Sequence, residues 1–128
     1  GNVVMDWIAD AIAEYGRSVG LPDLALDADY RLSLALDDSD ALTIVYLADM
    51  PSKDILVACA RPLAWNQPEQ LRRALRLVDF RIPTDWPVQV ALDGNRLIFN
   101  LRIPERSFVH NVLQQAVGQL RLLQDKVR

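Results

Sequence analysis

The side chains able to carry out bond-making chemistry are few in these 128 residues, and each stands alone. Histidine occurs once, at His110, in the first turns of what reads as the last helix. A single imidazole with no nucleophile or carboxylate at a fixed spacing makes no general acid–base pair. Cysteine also occurs once: Cys59 alternates with Ile55 and Val57 in an apolar run and reads as a buried, inert thiol. One His and one Cys cannot assemble a zinc site of the usual ligand sets. Asp37, Asp38 and Asp40 look like a fragment of a calcium loop, but the glycine and closing Glu at loop spacing are missing, so a solvated turn is expected. Five scattered glycines make no phosphate-cradling loop. These residues imply no catalysis, no metal and no cofactor. The chain reads as a binding protein, not an enzyme.

Charge is divided unevenly along the chain. Residues 1–60 hold eleven acids against three bases, a net of −8, and residues 61–128 hold six acids against eleven bases, a net of +5. Most arginines of the second half (Arg72, Arg73, Arg76, Arg81, Arg96, Arg102, Arg106, Arg121) are spread over several elements with acids between them. No aromatic residues interleave with them as a stacking platform for nucleic acid requires. The division reads as an unevenly charged solvated surface or as an aid to pairing with another protein.

Composition excludes other classes. The apolar share, 51%, is too high for disorder, and the longest apolar run, Ile55 to Ala60, is far too short to span a membrane. The N-terminus has no basic start followed by an apolar stretch, so it does not read as a secretory signal, and one unpaired cysteine suits a reducing compartment. Gly1 to Val4 read as an added remnant before a natural start at Met5, with residues 5–128 as one domain.

The elements follow from periodicity. Ile8, Ile12, Tyr15 and Val19 recur on one helical face between an Asp6 cap and a Gly20-Leu21-Pro22 stop. Strands are expected at 31–36, 41–48 and 55–60, joined by short turns. Asn66-Gln67-Pro68-Glu69 reads as a helix start, with Leu71, Ala74, Leu75 and Val78 inward, Leu77 off that stripe and Arg72, Arg73 and Arg76 outward. After a breaker region from Pro83 to Pro87 come Val88, Val90 and Leu92, an Asp93-Gly94-Asn95 hairpin, and a return through Leu97 to Ile103. Pro104 and Ser107 introduce a last helix whose stripe is Val109, Leu113, Ala116, Leu120 and Leu123. The order α-β-β-β-α-β-β-α with short strand links argues an α+β fold with a mostly antiparallel twisted sheet.

Apolar residues also fall on the second face of those strands: Val45 and Leu47, then Leu56, Ala58 and Ala60, then Ile98. A face on water should be polar there. Either the domain's own helices cover both faces, or part of the surplus is buried against another molecule.

This element order in a small acidic chain resembles the class I chaperones of bacterial type III secretion, the CesT/SycE-like family, over essentially the whole length. Met5-Asp6-Trp7-Ile8, the segment Leu63-Ala64-Trp65 and Glu105-Arg106-Ser107 look most like the SycN type, which serves the gatekeeper protein plugging the export channel. The resemblance implies a cytoplasmic bacterial protein that dimerises and holds an extended N-terminal segment of a secreted protein without ATP. It places a dimer face at Leu71, Leu75, Val78, Trp86 and Val88. It places cargo contacts at Trp7, Ile8, Ala11 and Ile12 with the sheet positions Val45, Leu47 and Leu56. Each of these positions suits ordinary core packing equally well. The SycN type pairs with a different small chaperone of the same fold, where most of the class are homodimers. The three arginines of the middle helix would repel their copies in a close twofold contact, which favours the heterodimer. The competing reading is a dimerising regulatory or adaptor domain that binds a folded partner or a small ligand in an apolar groove.

Overall fold

Five strands with alternating apolar residues form one antiparallel sheet in the order β1-β2-β3-β5-β4, and helical stripes cover one of its faces. The computed structural model describes residues 3–37, 39–64, 67–79 and 86–128, with the backbone alone for 3–5. In chain order the elements are α1 (Val3–Ser18), β1 (Arg31–Leu36), β2 (Asp40–Tyr46), β3 (Ile55–Pro62), α2 (Gln67–Asp79), β4 (Gln89–Asp93), β5 (Arg96–Ile103), a 3-10 turn (Glu105–Ser107) and α3 (His110–Val127). The α+β expectation and the element order therefore hold.

Register explains the two faces. Leu32, Ile44, Val57 and Leu101 lie in one row across four strands, and Leu34, Leu42, Cys59, Phe99 and Val90 in the next. Both rows point at the helices; Leu34 and Val90 on the edge strands are half-buried, and the other side chains are buried. Ile8, Ile12 and Tyr15 of α1 and Leu113, Ala116, Leu120 and Leu123 of α3 complete this core. α1 packs on α3, α3 lies on β3 and β5, and α2 packs against α3 and β4. A buried polar group on α3 is satisfied from the sheet: Gln124 Nε2 donates to the carbonyls of Cys59 at 2.9 Å and Leu97 at 2.8 Å.

Several local expectations shift. Asp6 does not cap α1, because the helix already runs from Val3 and Asp6 sits in its first turn. Val19 lies beyond the helix end and is exposed. The stop itself holds: Gly20 adopts φ +79°, and the Leu21 amide closes onto the Gly16 carbonyl at 2.7 Å. Gly16 could not carry a side chain, since a Cβ there would stand 2.5 Å from the Leu21 oxygen. Leu47 and Ala48 fall outside β2, in the turn to β3. On α2 the inward face is Gln70 and Ala74 with Leu71, Leu77 and Val78, so Leu77 packs on the core and Leu75 faces out, the reverse of the sequence expectation. Val109 precedes α3 as its exposed N-cap residue; the stripe continues instead through Val117 and Val127. The Asn66 cap, Trp65 and most of the breaker region lie outside the described residues.

Candidate functional site

Among the described residues no group of His, Cys, Asp or Glu is arranged to hold a metal ion. Burial pushes the Cys59 thiol up to about 12, which removes it from thiolate chemistry near neutral pH. What the fold exposes is apolar surface, framed by charge.

The acidic turn is solvated only in part. Asp37 is exposed, as expected, but Asp40 is 2% exposed and holds two arginines, and Asp38 lies outside the described residues. Arg61 Nε and Nη2 grip its two carboxylate oxygens at 2.5 and 2.8 Å, and Arg121 Nε reaches Oδ2 at 2.9 Å. Arg61 also binds Asp125 at 2.7 Å, and Arg121 binds Asp37. The chain Asp125–Arg61–Asp40–Arg121–Asp37 ties the β1–β2 turn and β3 to α3. Burial opposes the Asp40 carboxylate, but the hydrogen bonds from Arg61 and Arg121 prevail and hold its pKa below the ordinary value. The hydrogen bond to Asp40 likewise raises the Arg61 pKa. Part of the acidic and basic surplus of the two halves is thus consumed inside the domain.

On the sheet face away from the helices, Val45, Leu56, Ala58 and Ile98 are half-buried, and none of them packs on the hydrophobic core. Leu47, just past β2, shares that condition. The rows across this face read Arg31–Val45–Leu56–Arg102, then Ser33–Thr43–Ala58–Asn100, then Ala35–Ala41–Ala60–Ile98. The predicted sheet contacts Val45 and Leu56 are therefore cross-strand neighbours on one open surface, and Leu47 follows two residues beyond Val45. Ala58 and Ile98 belong with them, as their alternation already indicated.

The α1 contacts divide. Ile8, Ala11 and Ile12 are buried in the core and, apart from a sliver of Ala11, offer no surface. Trp7 is 38% exposed, and its indole Nε1 donates to the Phe108 carbonyl at 2.6 Å, pinning α1 to the entry of α3. Beside it lies a groove of about 400 Å³ lined by Trp7, Asp10, Ala11, Glu14, Val109 and His110. Val109 and His110 were not legible as groove residues, because they meet α1 only in the folded chain.

The expected dimer positions lie on α2 and its approach to β4. Leu71, Val78, Trp86 and Val88 are half-buried against the core, and Leu75 is 44% exposed. Around Leu75 the guanidiniums of Arg72, Arg73 and Arg76 share one carboxylate, Glu69, at 3.2, 3.7 and 3.9 Å. This helix surface keeps a positive surplus.

Comparison with known proteins gives a consistent picture. The family model for the type III secretory system chaperone SycN matches residues 7–128. Among solved structures, the HopA1–SchA chaperone–effector complex contains a similar chain with TM-score 0.74 and 15% identity, covering 99% of this chain and 98% of that one. The ExsC–ExsE complex contains another, with TM-score 0.71, 18% identity and 91% and 87% coverage. The Yersinia pestis type III secretion chaperone SycH, in complex with a stable fragment of YscM2, gives TM-score 0.68, 15% identity and 94% and 96% coverage. At such identities the structures share the fold. No curated protein matches by sequence.

Proposed function

We infer the function from the family: this chain belongs to the SycN family of type III secretory system chaperones. It is a chaperone and not an enzyme, and it acts by binding. We propose that it works in the bacterial cytoplasm, where it holds the extended N-terminal segment of a secreted protein, the gatekeeper that plugs the export channel, without ATP. It does so as a dimer with a second small chaperone of the same fold.

The observation that carries this reading is the open apolar sheet face, where Val45, Leu47 and Leu56 stand half-buried but outside the core. Grouped apolar surface of this kind costs solubility and marks an interaction site. A non-globular segment laid across it would bury these side chains, and the groove beside Trp7 offers a second foothold. β1 and β4 are the edge strands of the sheet, where an extended segment can add by main-chain pairing. Effector or fragment complexes of proteins sharing this fold support the same use.

Dimerisation through Leu75, with Leu71, Val78, Trp86 and Val88 behind it, fits a partner whose facing helix carries acids. A copy of this chain would set Arg72 and Arg76 against themselves.

Co-expression with the N-terminal segment of the gatekeeper, with and without the second chaperone, tests both parts. The expected result is a one-to-one pair of chaperones by native mass spectrometry and a cargo segment protected from protease. A cargo segment digested at the same rate with and without the chaperones would sink the chaperone assignment. A stable homodimer indifferent to the partner would sink the heterodimer.

A further inference from the structure

We propose that the open sheet face selects segments whose apolar residues are bracketed by carboxylates. The proposal rests on the chaperone reading above and specifies the chemistry of its cargo. Its basis is the row Arg31–Val45–Leu56–Arg102, in which two aliphatic side chains sit between two arginines on adjacent strands.

Both arginines are exposed, and neither forms an ion pair among the described residues. Arg17, Arg61, Arg72, Arg73, Arg76, Arg96 and Arg121 each have an acid within reach; Arg106 and Arg128 share the unpaired state of Arg31 and Arg102, but only Arg31 and Arg102 lie in a row with open-face aliphatic residues. The acids nearest in sequence do not answer them: the Asp27 carboxylate accepts the Asp29 and Arg31 backbone amides, Asp29 forms no ion pair among the described residues, and the Glu105 carboxylate accepts the Tyr46 hydroxyl. Uncommitted positive charge therefore flanks uncovered apolar surface on both sides.

Strand spacing sets the geometry. Three inter-strand steps separate Arg31 on β1 from Arg102 on β5, so the two backbones stand about 14 Å apart. An extended segment with acids at positions i and i+4 and an apolar residue at i+2 spans about 13 Å and presents all three side chains to one side. The neighbouring rows, small at Ser33, Thr43 and Ala58 and alanine at Ala35, Ala41 and Ala60, let a backbone approach closely. A second copy of this chain docked face to face would meet arginine with arginine. Charge complementarity therefore favours an acid-flanked peptide.

The test uses fluorescent peptides with one apolar core flanked on both sides by Glu, Gln or Lys. Their binding to the full chain, and to the double variant Arg31→Glu/Arg102→Glu, is followed by anisotropy at low and high salt. The Glu-flanked peptide should bind about tenfold more tightly than the Lys-flanked one at low salt, and the gap should shrink as salt rises. The order should invert in the double variant. Both replaced side chains are exposed, so thermal melting of the variant should match the parent and exclude misfolding. Equal affinity for Glu and Lys flanks, or a preference that survives the double substitution, overturns the proposal. If no peptide binds, the co-expressed secreted segment decides. Its loss from the double variant supports the charge rule; its retention there overturns the rule and leaves the chaperone reading standing. Self-association strengthened by the double substitution would also overturn it, by making the face a contact between copies.

Discussion

The two faces of the sheet are drawn from the same five strands, residue by residue in alternation, yet they end in opposite states. On one, Leu42, Ile44, Val57, Cys59, Phe99 and Leu101 have lost essentially all contact with solvent. On the other, Val45, Leu56, Ala58 and Ile98 are similar in kind and remain partly wet. Hydrophobicity does not separate the two sets; cover does, because α1 and α3 lie on one face only. The arginines divide in the same way. Arg61 and Arg121 are locked onto Asp40, while Arg31 and Arg102 beside the open face stay uncommitted. One side of the molecule has satisfied its own chain, and the other has kept its apolar surface and charge for a partner.

The strongest way to break that contrast is a pair of truncations. Phe99→Ala empties the packed face and should cost about 3–5 kcal/mol in urea unfolding, whereas Leu56→Ala on the open face should cost under about 1 kcal/mol. Equal losses would show that the faces do not differ. Asp40→Asn leaves the buried Arg61 with only the exposed Asp125 as counter-charge and should cost about 3 kcal/mol, while Arg31→Ala should stay within about 0.5 kcal/mol.

Acid sharpens the same point. The folded pKa of Asp40 lies below its ordinary value of 3.8, so its ion pairs contribute full stability above that value. The contribution disappears as pH falls through the folded value. Acid unfolding should therefore begin below about pH 4 in the parent, and Asp40→Asn should flatten the pH dependence in that window. Trp7→Phe removes the hydrogen bond to the Phe108 carbonyl together with part of the indole's contact area and should cost about 1–2 kcal/mol by thermal or urea melting. Leu56→Ser should also cost little stability, below about 1 kcal/mol. The same substitution should release the captured secreted segment in a pull-down, a loss that no packed-face variant of equal stability reproduces.

Much of this was legible in the chain. The alternation of Leu32 with Leu34 and of Leu42 with Ile44, the Gly20 and Gly94 turns and the apolar residues at Val45 and Leu56 marked the strands and the second face. The outward position of Leu75 was not legible, because one helical stripe accommodates Leu75 or Leu77 and only the placement of α2 against α3 and β4 chooses between them. Nor was the burial of Ile8 and Ile12, proposed as cargo contacts, separable from exposure by their periodicity alone.

Sequence by itself determined the elements and the existence of surplus apolar residues, because period and turn chemistry are properties of neighbouring residues. The tertiary structure alone decided which face the helices cover and which acids and arginines meet. Asp40 finds Arg121 across 81 positions, and Asp37 finds it across 84. No local pattern encodes such a pairing, because its stabilisation exists only once the β1–β2 turn and the last helix have been brought together.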